Sequence, residues 1–203
     1  NKLGFQTIIP SYDKDNLDRP LCCGRTYISY GQLDKAANEL NRFNDYIIKN
    51  NYFNLPVVGI EPSCLLTFSD EYQKLKNVKN REKVKNKFYL LEEFILEHIE
   101  NNNNIKSNKF DQNVLIHGHC HQKSQDRMKG LKNLLSKLKI NNKMIESSCC
   151  GMAGSFGYDS KHYEISKKMA NLSLIPAVNN SDEKDFIIAN GTSCRHQISD
   201  LSD

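Results

Sequence analysis

The chain has 203 residues, 38% of them apolar and 26% charged, which suits one or two globular domains with a real core. No apolar run approaches the ~18 residues that span a bilayer, no charged-then-apolar leader opens the sequence, and a diffuse net charge of +4 does not point to nucleic acid. The start at Asn1, directly before Leu3-Gly4-Phe5, leads us to expect further chain upstream.

Taken in order, the first apolar run, near residues 5–9, predicts a buried strand. Leu33, Ala36, Ala37, Leu40, Phe43 and Ile47 recur at helical spacing and predict a helix over 32–49, with Asp34 near its cap. A second strand is expected at 56–60. Residues 70–100 read as a long charged helical stretch with an apolar patch at Phe88, Leu90, Leu91, Phe94, Ile95 and Ile99, ending in Asn101 to Asn104. The charges from Lys74 to Lys87 then form a solvated helix face. Strands are expected near 113–117, 143–146 and 185–189. Helices are expected at 123–139 (Met128, Leu131, Leu134, Leu135, Leu138) and 160–174 (Ile165, Met169, Leu172), the latter with Ser160 near its cap. Strands alternating with helices of this length predict an α/β fold with parallel pairing.

The unusual feature is seven cysteines. An odd count with two adjacent pairs and no visible secretion signal argues for metal ligands or redox thiols in a reducing, cytoplasmic setting rather than structural disulfides. The chain also repeats itself. Cys22-Cys23-Gly24 recurs as Cys149-Cys150-Gly151, and each pair is followed by a helix, an apolar run and a Ser-Cys ending, at Cys64 and Cys194. Cys64 lies 41 positions after Cys23, and Cys194 lies 44 after Cys150. The repeat predicts two pseudo-symmetric halves, 1–69 and 111–203, joined by a helical connection and Asn-rich loop over 70–110. Each half should carry a short, mainly parallel sheet flanked by helices, with cysteine loops at the strand carboxyl ends. The second half adds Cys120 after Val114-Leu115-Ile116-His117. Its counterpart in the first half is expected roughly 35 to 40 residues before Cys22, upstream of Asn1.

Three groups could sit where these loops meet. Zinc accepts thiolate and imidazole, and His117, His119 and His121 lie around Cys120, but no C-x-x-C pairing is present. A dithiol couple between neighbouring cysteines is strained and easily reduced, and leaves Cys64, Cys120 and Cys194 unexplained. An iron–sulfur cluster fits best, because adjacent thiolates can take different irons. Cys120, Cys149, Cys150 and Cys194 would supply four donors, and Cys22, Cys23 and Cys64 three. Gly24 and Gly151 would let the backbone approach and turn tightly. His117, His119, His121 and His196 flank cysteines and could hydrogen-bond a centre, with direct ligation by one of them also open. Arg195 could offset cluster charge or pair with a surface carboxylate. His98 and His162 read as packing or surface residues. Gly151 to Gly157 lacks the order of a dinucleotide fingerprint and reads as a loop packed at the cluster.

These residues resemble a family. The duplicated Cys-Cys-Gly with flanking single cysteines is similar to the cysteine-rich, or CCG, domain of the iron–sulfur subunits of glycolate oxidase, anaerobic glycerol-3-phosphate dehydrogenase and heterodisulfide reductase. Cys149 to Tyr158, Gly191 to Gln197, His117 to Lys123 and Glu61 to Cys64 are most like FAD-linked 2-hydroxy-acid dehydrogenases of the D-lactate or glycolate type. The resemblance implies an iron–sulfur electron-transfer region, with a [4Fe–4S] cluster, within an oxidoreductase rather than an enzyme on its own. It further implies FAD on a separate flavin-containing dehydrogenase domain or subunit, a ferredoxin-like iron–sulfur domain, an acceptor such as a quinone, and contact with the inner face of the membrane only through partners. In heterodisulfide reductase five cysteines per half hold a noncubane cluster. Glu61 and Gly191 stand where the leading cysteine of that set would be, so the resemblance favours at most four thiolates per half over disulfide-cleaving chemistry. A structural or zinc-bearing subunit-docking module is the alternative from another class.

Overall fold

A computed structural model describes residues 4–11, 13–84, 86–101, 110–147 and 149–202. The chain divides into two compact units. Unit 1 runs to Leu55 and takes in Thr67–Asn86; unit 2 comprises Pro56–Leu66 and the chain from Lys87 onward.

Unit 1 contains α1 (Arg25–Ser29) and α2 (Leu33–Lys49). Most of the expected apolar stripe of α2 is the face it buries: Ala36, Ala37, Leu40, Phe43 and Ile47 are all at or below 9% exposure, while Leu33, in the first turn, is 51% exposed. Phe43 meets Phe68 at 4.6 Å between ring centroids. Glu39 shares this buried side and is paired with Arg19 and Arg42. Asp34 falls inside the first turn, the N-cap being Gln32. Residues 5–9 form no strand: Ile8 and Ile9 are 45% and 78% exposed, and the sheets among the described residues are built from other segments.

Next along the chain come β1 (Val57–Gly59) and the start of α3 (Pro62–Ser69), which fall in unit 2, and then the end of α3 and α4 (Glu71–Lys74), which fall in unit 1. The expected long helix stops here. Asn77 and Asn80 adopt left-handed backbone, φ 60° and 56°, which an α-helix cannot accommodate. The loop is held to α2 instead: Asn44 Nδ2 donates to the Lys79 carbonyl at 2.6 Å, and the Tyr72 hydroxyl donates to Asn44 Oδ1 at 2.9 Å. The charge run from Lys74 is therefore mostly a turn-rich loop.

Unit 2 holds β1 together with β2 (Phe88–Leu90), α5 (Leu91–Asn101), β3 (Val114–His117), α6 (Cys120–Ser124), α7 (Met128–Lys137), β4 (Asn142–Met144), α8 (Tyr163–Asn171), α9 (Leu174–Asn179), β5 (Phe186–Ala189) and α10 (Thr192–Leu201). The fold is α/β. One parallel sheet pairs β1 with β2, and the other runs β4-β3-β5, parallel throughout. The apolar residues at 88–90 are thus a strand rather than part of a helix, and they give β1 its partner. The expected helix over 123–139 is two, broken where Asp126 takes φ 53°. The helix expected at 160–174 begins after Ser160, with His162 at its N-cap. The expected breaker at 102–104 lies outside the described residues. Among those residues no helix is long and apolar enough to cross a membrane.

Strand alternation sets the two sides of the larger sheet. Val114 and Ile116 face α7, packing with Met128, Leu131 and Leu135. Leu115 packs on the opposite side, against Cys150, Met152, Leu174, Ile175 and Cys194. Two cysteines therefore belong to that core, and the carboxyl end of β3 delivers residue 117 beside it.

Candidate metal centre

Four cysteines of unit 2, Cys120, Cys149, Cys150 and Cys194, come together at the carboxyl ends of β3, β4 and β5. Cys120 opens α6, Cys149 and Cys150 follow β4, and Cys194 lies in the first turn of α10. Their thiols form one continuous chain of contacts: Cys120 to Cys149, Cys149 to Cys150, and Cys150 to Cys194. Cys150 and Cys194 are 4% and 2% exposed.

The thiol protons are unequally held. Cys149 accepts hydrogen bonds from the Cys120 and Cys150 thiols and from the Gly151 and Ala153 amides, and is pulled far below the ordinary thiol range despite its burial. Cys194 is lowered to about 5 by the Cys150 thiol, against the effect of burial, with His117 adding to the shift. Cys120 and Cys150 are pushed up, first by those thiol contacts and then by burial. Cys149 and Cys194 are thus the two of the quartet biased toward the thiolate. Thiolate is the form that nucleophilic and metal chemistry needs.

Backbone geometry supports this. Gly151 N donates to Cys149 Sγ at 3.3 Å. Gly151, Ala153 and Gly154 all have positive φ, 93°, 41° and 69°, a pattern that turns successive amides toward one anion. Lys123 lies near all four thiols, and donates to the Ser147 carbonyl. Burial pushes its ammonium down, and the four thiols oppose that shift.

The other expected residues fall in distinct places. The His121 amide donates to His119 Nδ1 at 3.2 Å, and His119 is buried. A Cβ at Gly191 would overlap the His119 ring and approach Cys194 Sγ to 3.2 Å; the imidazole fills the space a side chain at 191 needs. Glu61 Oε2 accepts from the Thr192 amide and hydroxyl, at 2.8 and 2.9 Å, so it holds the start of the helix that carries Cys194. Arg195 faces neither a carboxylate nor the thiols: its guanidinium donates to the carbonyls of Ala189 and Asn190, at 2.9 and 2.7 Å, and to Thr192 Oγ1. His196 is exposed and bonds the Tyr158 hydroxyl at 2.6 Å. His162 stacks on Phe156. In unit 1 the Cys23 thiol contacts Cys22, raising the latter, with burial adding to the shift. Gly24 takes φ 75°, and a Cβ there would press on Ala36. Cys64 is an exposed residue of α3 that belongs to unit 2.

Sequence reasoning missed Glu92, which lies in the segment read as a helical connection between the halves. It is 8% exposed, and its Oε1 accepts from Gln122 Nε2 and Asn190 Nδ2, both at 2.8 Å. One carboxyl thereby ties the helix of Cys120 to the loop before Cys194. Nothing in the local pattern marks it, since the contacts span 30 and 98 positions.

Burial holds Glu92 above the usual carboxyl range; Glu93 adds to the shift, while Gln122 and Arg127 oppose it. The native state therefore keeps a proton that the unfolded chain releases. Its contribution to stability is complete below the unfolded value and is lost as pH rises through the native one. Glu92→Gln should flatten the fall in stability that sets in as pH rises above the ordinary carboxyl range, read by urea denaturation across a pH series. Glu92→Ala strands the buried Gln122 amide and the half-buried Asn190 amide and should cost about 1–3 kcal/mol.

Residues 114–199 match the family model for the cysteine-rich domain, CCG. The chain is 22% identical to an anaerobic glycerol-3-phosphate dehydrogenase subunit of Escherichia coli K12, over 90% of its own length and 46% of that protein. It is 23% identical to D-2-hydroxyglutarate dehydrogenase of the same strain, over 97% of its length and 18% of that protein. The Haemophilus influenzae D-2-hydroxyglutarate dehydrogenase is 22% identical over 97% of the chain and 19% of its own length. The chain thus spans about half of the first relative and under a fifth of the others. No solved structure matches it significantly. The matched segment 114–199 is the part of the chain that carries the quartet of converging cysteines.

Proposed function

We propose that this chain is an iron–sulfur electron-transfer region of a flavin-linked 2-hydroxy-acid dehydrogenase. Electrons would pass from an FAD domain or subunit, by way of a ferredoxin-like domain, toward an acceptor such as a quinone. The observation that carries the reading is the unbroken contact among the Cys120, Cys149, Cys150 and Cys194 thiols. Its family and relatives, one of them a dehydrogenase subunit, agree with it.

The donor set fits a [4Fe–4S] cluster: four thiols from three loops, two already inclined to the thiolate, with amides aimed at sulfur. Such a cluster, when bound, stores and passes single electrons. The chain's own groups would do the rest. The Gly151 and Ala153 amides and the Lys123 ammonium favour negative charge at the centre, and the apolar core around Cys150 and Cys194 excludes water. In the first half, Cys22, Cys23 and Cys64 repeat the sequence spacing of the second-half cysteines and are likewise proposed as cluster ligands. His119 filling the space beside Gly191 argues against a five-thiolate, heterodisulfide-cleaving version.

A second reading, a mononuclear zinc site, is favoured by one observation: His117, Cys150 and Cys194 offer donor atoms all within 4.8 Å of one another. Anaerobic purification of the full-length protein, with iron, acid-labile sulfide and zinc analysis and low-temperature EPR, separates the two. Stoichiometric iron and sulfide are expected in the wild type. Cys150→Ser and Cys194→Ser should lower the iron content of this centre about 10-fold or more, the scale on which even outer residues of metal sites act. Cys64→Ser should leave it intact. Zinc without sulfide would overturn the cluster.

A further inference from the structure

We propose that His117 is a nitrogen ligand of this centre, its imidazole joining the sulfurs of Cys150 and Cys194. The inference rests on the iron–sulfur reading above and adds a fifth donor, of another element, so that one of the four irons would carry two protein donors. Period-two alternation along β3 puts residue 117 on the side of Leu115, where Cys150 and Cys194 lie in the core. The imidazole is within 4.8 Å of both sulfurs and only 2% exposed.

Its two nitrogens are in different situations. Nδ1 lies 2.8 Å from Ser147 Oγ, just after β4. Nε2 is fully buried and makes no hydrogen bond of good geometry among the described residues, although the ring interacts with the Cys194 thiol. A buried polar atom left so carries a penalty that native proteins rarely tolerate. A metal at Nε2 removes that penalty. With Nδ1–H donated to Ser147 Oγ, the ring is oriented and the Nε2 lone pair is free, the arrangement typical of metal-binding histidines. His119 is the contrasting case. Its Nδ1 already accepts the His121 amide, so in the neutral ring Nε2 carries the proton and can donate to sulfur but not ligate. A neutral imidazole among thiolates also makes the centre less negative and raises its reduction potential.

The test uses the full-length protein, purified anaerobically, with natural-abundance or 15N-labelled histidine. Hyperfine spectroscopy of the EPR-active centre should give a nitrogen coupling of the size expected for a bound imidazole, altered by the label. In His117→Cys and His117→Gln that coupling should vanish. His117→Cys should keep iron and sulfide and shift the potential to a more negative value, as expected when thiolate replaces imidazole. A wild-type centre with full iron and sulfide that shows only weak, label-independent nitrogen couplings would overturn the ligand assignment alone. So would a histidine coupling that persists in both variants. A protein without iron and sulfide would overturn the cluster reading, and the assignment with it.

Discussion

Gly151→Ala should lose the cysteine centre and much of the stability of unit 2, whereas Gly154→Ala should be tolerated. Both glycines have left-handed backbone, φ 93° and 69°, and a Cβ there costs about 1–2 kcal/mol. They differ in surroundings. At Gly151 the new Cβ would overlap the Ser166 carbonyl oxygen, come within 3.0 Å of its carbon, and reach 3.1 Å from Gln197 Nε2. That carbonyl accepts from Gln197 at 3.2 Å, so neither partner can yield without breaking a buried hydrogen bond. At Gly154 nothing lies within 4 Å. Strain and overlap together bring Gly151→Ala to about 2–5 kcal/mol, read from the urea midpoint. Metal content should fall with it, because the Gly151 amide that binds Cys149 must move.

The second large effect is expected at Gly191, and it should be reversible. Gly191→Ala sets a methyl against the His119 ring. His119 is buried and held by the His121 amide, so the ring has no free direction in which to turn. Overpacking of this kind costs about 1–3 kcal/mol. His119→Ala alone should destabilise by a similar amount through lost packing and a lost cap. In the double variant the added methyl occupies space the ring has left. The double-mutant cycle should therefore show a favourable coupling of about 1–3 kcal/mol, measured by denaturation. Strict additivity would mean that residues 119 and 191 do not compete for one volume.

Local features are the ones legible in the sequence. The runs Val57-Val58, Val114-Leu115-Ile116 and Phe186-Ile187-Ile188 are strands because branched residues favour the pleated backbone, and the stripe of α2 is legible for the same kind of reason. Phe88-Tyr89-Leu90 is harder, since apolar residues continue through Leu91, Phe94 and Ile95 and merge into the spacing of α5. The break at Asp126 is a single backbone angle with no neighbouring glycine or proline to announce it. At the centre, the repeat points to the four cysteines of the second half, which do converge. The groups around them depend on distant pairings: Ser147 meets His117 only through the β3–β4 register, and Glu61 meets Thr192 across 131 positions. Residues 61 and 191 stand out in the sequence as missing cysteines. In the structure the first anchors a helix and the second makes room for a ring.

The strand order β4-β3-β5 has a temporal consequence during synthesis. Cys194 is the last of the four thiols to leave the ribosome, 44 residues behind Cys150. At about 5–20 residues per second, that delay is roughly 2–9 s. Throughout it, the nascent chain presents the earlier thiols without the strand and helix that complete their enclosure. A centre built on all four sulfurs is consequently assembled after translation of this region, and the interval before closure is when these thiols are most open to oxidation.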